Sequence, residues 1–517
     1  MPTLPERPDL QRLRRQARDL QRAVRAGDPD ALARVAAHHP GATDSEITPV
    51  PHAETATVRP ADESAAFPLA AAQLVVAREY GFASWPRLRR YLGTVAEHGW
   101  DSASAGVADP DPAGEFCRLA CLTYTRDDGP ERWAAARRLL AEHPGLTREH
   151  IWAAAAAARP GDVRRLLGED PARASARGGP LRWRPLYYLA YSRAGGTEED
   201  VLAVADALLA AGAAADDGYL FDGLPYPFTA LTGVLGEGEL GPARQPRHPH
   251  WRALAGRLLA AGADPNDAQG LYNTMFSGSV EHLEVLFAHG LGRPRRDAWQ
   301  ARVGDLIPSP AELLRIQLRW AVEHDQRERV RLLAGHGIDV RSPFTSDGPA
   351  WAPGDGRTPV ELARLYGHTQ IEAELLAHGA PPPPPDPVAE LIAAAFRADR
   401  PAVEALAARE PGVVDQARAQ RPGLIVWAAA RAPAQTVELL AGLGFDVNAL
   451  GRADAPVEQE WETALHHSAG AGDVELTRRL LALGADPAAR DRRFGATPLD
   501  WARHLGQPAT AELLAQA

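Results

Sequence analysis

Residues 463–487, TALHHSAGAGDVELTRRLLALGADP, carry a short apolar helix, a glycine break and a second helix that ends in Leu-Leu. Residues 497–514, TPLDWARHLGQPATAELL, repeat that plan, and Leu480 to Leu513 is an offset of 33 residues. In each half, apolar positions recur at i, i+3, i+4 and i+7, the spacing of one helix face. Working outward towards the N-terminus, the second-helix signature returns as VELLAGLGFDVN (437–448), IEAELLAHGA (371–380), VRLLAGHGIDV (330–340) and LEVLFAHGL (283–291). Further copies are GRLLAAGADPN (256–266), ADALLAAGAAA (205–215) and GDVRRLLGEDP (161–171). Leu208 to Leu258 spans 50 residues and Leu332 to Leu375 spans 43, so most units carry loop insertions. Gly262, Gly290, Gly337, Gly379 and Gly484 follow the Leu-Leu helices where a left-handed cap is needed, and Asp-Pro or Asp-Val-Asn then turns the chain away. The fold class expected is all-α, a solenoid in which each helix pair buries its apolar face against its neighbours.

The openings Thr463-Ala464-Leu465-His466 and Thr497-Pro498-Leu499-Asp500 resemble the TPLH turn of the ankyrin repeat family, and Thr358-Pro359-Val360-Glu361 is a looser copy. The resemblance covers about residues 115–517, as some eleven or twelve units, and is similar to bacterial ankyrin-repeat proteins in its N-terminal layout. It implies that Thr463, His466, Thr497 and Pro498 brace the turns into first helices. It also implies that loop tips and first helices form a groove. There Trp461, His467, Arg492 and Phe494 are the best-placed contacts, with Glu460 beside them. Only one copy keeps the histidine, and units between 115 and 350 have mostly lost the TPLH turn.

Punctuation in the sequence predicts an N-terminal helical cap over 1–98 and a linker over 99–114. A degenerate, insertion-rich array over 115–380 follows, then a proline-rich linker over 381–387 and a C-terminal array over 388–517. Pro381 to Pro385 cannot continue a helix and form a stiff spacer. The cap keeps the first apolar face of the array dry.

Composition excludes several chemistries. The 517 residues carry a net charge of −11, which disfavours nucleic acid and anionic lipid as partners. Every one of the 56 basic residues is arginine, so Schiff-base and phosphate-loop lysines are ruled out. Cys117 and Cys121, four apart, read as small core residues rather than a disulfide or zinc site. The first residues lack the apolar core of a signal peptide and no apolar run reaches about 18 residues, so a cytoplasmic protein without membrane contact is expected.

Gly236-Glu237-Gly238-Glu239-Leu240-Gly241 fits GxGxxG but is followed by Pro242 and lacks the strand–helix context of a dinucleotide site. The His pairs 38–39, 248/250 and 466–467 have no further ligands at metal spacing, and no metal or other cofactor is expected. The acidic pairs at 109/111, 127–128 and 216–217 fall in loops, where solvated charge is the default.

Aromatic residues make up 6% of the chain yet concentrate in one insertion, Tyr219, Phe221, Tyr226 and Phe228, followed in the next unit by Tyr272 and Phe276 with Asn273 between them. Tyr187, with Tyr188 and Tyr191, lies one unit earlier. These residues either cover the edge of a degenerate repeat or floor a site for a peptide or small ligand. Two functions follow. The first is a monomeric, non-catalytic interaction scaffold for a protein or peptide; the second is a cofactor-independent enzyme of lyase or cyclase type using the aromatic region.

Overall fold

The computed structural model describes residues 9–39, 67–295, 298–345, 356–454 and 458–517. Helix pairs dominate it, and the chain divides into two compact units, Met1–Leu313 and Leu314–Ala517. The glycines expected to cap second helices do so: φ is +106° at Gly262, +97° at Gly290, +80° at Gly337, +86° at Gly379 and +91° at Gly484. A side chain there would meet the carbonyl of its own residue, which glycine avoids.

In the first unit, helices Leu10–Arg25, Pro29–His38, Leu69–Glu79 and Trp85–His98 pack one on another. Five pairs follow: Pro112–Ala120 with Pro130–Glu142, Ile151–Ala156 with Pro160–Glu169, Pro185–Tyr191 with Glu198–Ala210, Ala230–Leu235 with Trp251–Ala260, and Ala268–Met275 with Glu281–Ala288. First helices stack on first helices and second on second, giving two layers. The first helices are short and buried almost all round; Ala153 to Ala158 are at most 2% exposed. Their alanines let neighbouring backbones approach, which is why the hydrophobic period fades in these segments.

Three short strands interrupt the helical plan. β1 (Gly99–Trp100) pairs parallel with β2 (Gly218–Phe221), which pairs antiparallel with β3 (Pro227–Thr229). The segment read as a linker, 99–114, thus contributes a strand, a 3₁₀ turn at Ser102–Gly106 and the start of helix Pro112–Ala120. Asp222 fixes the turn by accepting from Ser102 N at 2.8 Å and Ser102 Oγ at 2.7 Å.

In the second unit the pairs are Pro310–Glu323 with Arg327–Gly335, Pro359–Leu365 with Thr369–Ala377, and Pro387–Phe396 with Arg400–Arg409. The last three are Leu424–Arg431 with Ala434–Gly442, Ala464–Ala471 with Val474–Ala482, and Pro498–His504 with Pro508–Ala515. An extra helix, Val413–Gln420, sits between the third and fourth pairs and packs on Pro387–Phe396. Helices Pro359–Leu365 and Pro387–Phe396 also pack directly, so the stack runs across Pro381–Pro385 instead of dividing there. The chain recovers its helix at once because Asp386 accepts from Val388 N at 3.0 Å and Ala389 N at 3.1 Å. The compact units part within helix Pro310–Glu323, which no punctuation in the sequence marks.

Candidate functional site

The structure sends the aromatic residues of the insertion to different places. Tyr219 on β2 stacks between Trp183 (ring centroids 5.0 Å) and Phe228 (5.5 Å), with Trp100 at 5.3 Å. Tyr187, Tyr219 and Phe228 are buried in this cluster, and burial pushes the phenols of Tyr187 and Tyr219 up. Phe221 and Tyr226 are half-buried at its margin. Tyr272 donates to Glu239 and meets Phe276 edge-on at 5.2 Å, while Asn273 is buried and accepts from Gln269 at 2.8 Å. The set supplies packing for the strand insertion, and only its marginal members face solvent.

Loop 236–250 lies across the ends of first helices in this unit. Arg193, just past helix Pro185–Tyr191, is fully buried and donates to Pro246 O (2.9 Å), Gly233 O (2.7 Å), Ala190 O (3.2 Å) and Ser192 O (3.1 Å). Arg244 donates to Asp128 O at 3.0 Å, tying the same loop to the turn before Pro130–Glu142. The GxGxxG segment belongs to this loop. Glu237 has φ +57° and turns its carboxylate inward to Arg247 at 2.8 Å, and only a single-turn helix, Gly241–Arg244, follows.

The second unit presents two surfaces instead. The first is a finger. Gly451 and Glu462 form an antiparallel bridge, and Trp461 is sandwiched between the guanidinium groups of Arg452 (3.9 Å) and Arg493 (4.2 Å). Arg493 also lies 5.0 Å from the ring of Phe494, a side chain that is 69% exposed. Arg492 donates its backbone N–H to Trp461 O at 2.7 Å and sits 3.7 Å from Glu460 in an exposed pair. Asp491 holds the turn, accepting from Arg493 N (2.7 Å), Phe494 N (2.6 Å), Ala496 N (3.0 Å) and Trp501 Nε1 (3.0 Å). Burial opposes its charge, but those bonds hold the carboxyl below its ordinary range.

The turns into the first helices are built as the TPLH resemblance implies. Thr463 and His466 form a reciprocal cap, with Thr463 Oγ1 and His466 Nδ1 2.8 Å apart, and His466 Nε2 lies 3.0 Å from Ala496 O of the next unit. With Nε2–H donating to that carbonyl, Nδ1 is the acceptor, and the ring links two repeats. Burial lowers its pKa. Thr497 caps reciprocally with Asp500, and Pro498 occupies the first helical turn, where no N–H is required.

The second surface runs along the first helices. His324, just past Pro310–Glu323, stacks on Trp320 at 3.6 Å, and its Nδ1 lies 2.9 Å from Trp320 O. Its Nε2 lies 2.9 Å from Nη1 of Arg431, the last residue of helix Leu424–Arg431. A guanidinium only donates, so His324 accepts through Nε2 and carries its proton on Nδ1. Burial, then the Arg431 charge, push its pKa down to about 4. Tyr366 meets Trp427 at 4.6 Å and stacks on His368 at 5.5 Å. His467, half-buried on Ala464–Ala471, is held below its ordinary pKa by burial and by Arg431. Of these residues only His467 was singled out from sequence. The others are more than 100 residues apart at their extremes and share no motif; aromatic and cationic residues recurring at first-helix ends are the only sequence signal.

Stacked pairs of short helices joined by turns, with a bridged finger, define a helical-repeat protein. Residues 460–492 match the ankyrin repeat family, which makes this stretch an ankyrin repeat. No curated protein matches it. Among the described residues no three His, Cys, Asp or Glu side chains converge as a metal site, and no helix is long and apolar enough to cross a membrane.

Proposed function

We propose that this protein is an interaction scaffold that holds a protein or peptide partner against the finger and first-helix face of residues 314–517. The ankyrin repeat at 460–492 supports a protein-interaction role. The observation that carries the reading is the exposed ring of Phe494, 69% exposed, in the turn held by Asp491 and beside a tryptophan clamped by two arginines. Folding gains nothing from an aromatic ring left in water, whereas tryptophan, tyrosine and arginine dominate the energetics of interfaces. Cation–π contacts hold the Trp461 ring in place before a partner arrives, which lowers the ordering cost of binding. In the first unit, by contrast, the chain's own loop occupies the first-helix ends.

The test compares proteins retained by the tagged full-length chain with those retained by Phe494→Ser and Arg493→Ala. Both variants should keep the unfolding midpoint of the parent and retain the specific partner about tenfold less well. Equal retention by all three chains would discard the finger as the binding surface.

A further inference from the structure

Arg431 and Arg193 occupy corresponding places, at the ends of first helices, but their donors are used differently. Arg193 satisfies its guanidinium on four carbonyl oxygens of the chain itself. Arg431 has a single hydrogen bond among the described residues, from Nη1 to the neutral His324, and its buried Nε has no acceptor. Among the described residues no carboxylate lies in ion-pair contact with it, Asp454 feeling its charge only at longer range, although half-buried cations normally find a partner. His467, beside it on the next first helix, makes no side-chain hydrogen bond among the described residues, and its ring is half-buried rather than enclosed. Tyr366 adds a buried hydroxyl that, among the described residues, meets no partner in good hydrogen-bond geometry, its neighbour being Trp427.

The surrounding acids are already engaged. Asp454 accepts from Arg452 at 2.7 Å, Asp473 caps Val474–Ala482 through Leu476 N at 2.9 Å, and Glu323 pairs with Arg319 at 2.8 Å. Asp325 lies 3.8 Å from His368. A cation with unused donors, a neutral imidazole fixing its orientation and a second, half-buried imidazole together make a receptor for a planar anion.

We propose that Arg431, oriented by His324 and flanked by His467, receives the side-chain carboxylate of an aspartate or glutamate of the bound partner. This rests on the scaffold reading and specifies the partner's chemistry. A side chain fits better than a chain terminus because helix Ala464–Ala471 bears His467 and directly follows the finger that bears Trp461. A peptide touching both surfaces must continue past the arginine.

The experiment uses full-length protein labelled with ¹³C at histidine Cε1, with the signals of His324 and His467 assigned from His324→Gln and His467→Gln. Two isomeric probes of equal charge are titrated at constant ionic strength: N-acetylisoglutamine, a side-chain carboxylate, and N-acetylglutamine, a main-chain carboxylate. The His324 and His467 signals should shift saturably with the first probe and less with the second. Arg431→Gln should weaken the apparent affinity about tenfold or more, while Arg431→Lys, which keeps the charge, should retain part of it. Unfolding midpoints of both variants establish that they are folded. Shifts that persist in Arg431→Gln, that spread evenly over all histidines, or that favour N-acetylglutamine would overturn the assignment. Because no partner is involved, a failure here is separate from a failure of the finger variants to lose their partner.

Discussion

Tyr187 and Tyr188 are consecutive on helix Pro185–Tyr191, both buried, and their hydroxyls have opposite circumstances. Tyr188 Oη donates to Gly178 O at 2.9 Å and accepts from Leu181 N at 3.0 Å. Tyr187 Oη is buried with no hydrogen-bond partner among the described residues. Replacing either by phenylalanine removes one oxygen and leaves the ring packing intact. For Tyr188→Phe the loss strands the buried Leu181 N–H and the Gly178 carbonyl, a cost of about 1–3 kcal/mol. For Tyr187→Phe the change removes a group desolvated without compensation, so stability should hold or rise by about 1 kcal/mol. In a unit of this size 1 kcal/mol moves the melting midpoint by about 2 °C. The two variants should therefore separate by about 2–8 °C in a thermal scan of the intact chain, with Tyr188→Phe below the parent. A Tyr187→Phe variant that falls as far as Tyr188→Phe would mean that the Tyr187 hydroxyl is satisfied after all. That result would refute the reading of this cluster as packing with an orphaned hydroxyl.

Acid should destabilise the second unit partly through His324. Its folded pKa of about 4 lies below the ordinary 6.5, so the unfolded chain takes up the proton first. The stability at stake is present above pH 6.5 and is lost as pH falls towards 4, and urea midpoints of His324→Gln should decline less over that window than the parent's. Thr463→Ala should cost about 1 kcal/mol, read by chemical denaturation, because the reciprocal cap disappears and His466 loses its Nδ1 partner. Arg193→Gln should lower the unfolding midpoint substantially, since it leaves four carbonyl contacts unmade in the interior, about 3 kcal/mol in all. Arg431→Gln, which gives up one bond, should change stability by less than half of that.

What the sequence made legible follows the regularity of the repeat. Leu-Leu-Ala-x-Gly places both the second helix and its left-handed cap, and Gly262 through Gly484 sit where it puts them. The Thr463–His466 turn was readable because both partners of the cap are three residues apart and local. The division at Leu313 was not readable: it runs within a continuous helix, and Pro381–Pro385, the obvious breakpoint, is bridged by direct packing of its flanking helices. The strand insertion hid for another reason. Gly218–Phe221 pairs with residues 99 and 100, and a partner more than 100 positions away leaves no local trace. Tyr187, Tyr219 and Phe228 were correctly seen as a concentration of aromatics, but composition does not distinguish a floor from a core. The His324–Arg431–His467 surface arises only once the ends of helices Pro310–Glu323, Leu424–Arg431 and Ala464–Ala471 come together, with two further first helices between the first and second of them in the sequence.

The two arginines at first-helix ends show how one repeat plan can yield either structure or recognition. An arginine at that position emerges where the first helix stops and its last carbonyls need donors. In the first unit the insertion 236–250 folds back and offers Pro246 O, so that Arg193 becomes part of the interior and burial pushes its pKa down to about 10 without discharging it at neutral pH. In the second unit the corresponding insertion, after the next first helix Ala464–Ala471, is absent, and Val474–Ala482 begins within three residues. Arg431 therefore meets a neutral histidine and no anion. Loop length, rather than the identity of the arginine, decides which position is closed and which is left for a partner to complete.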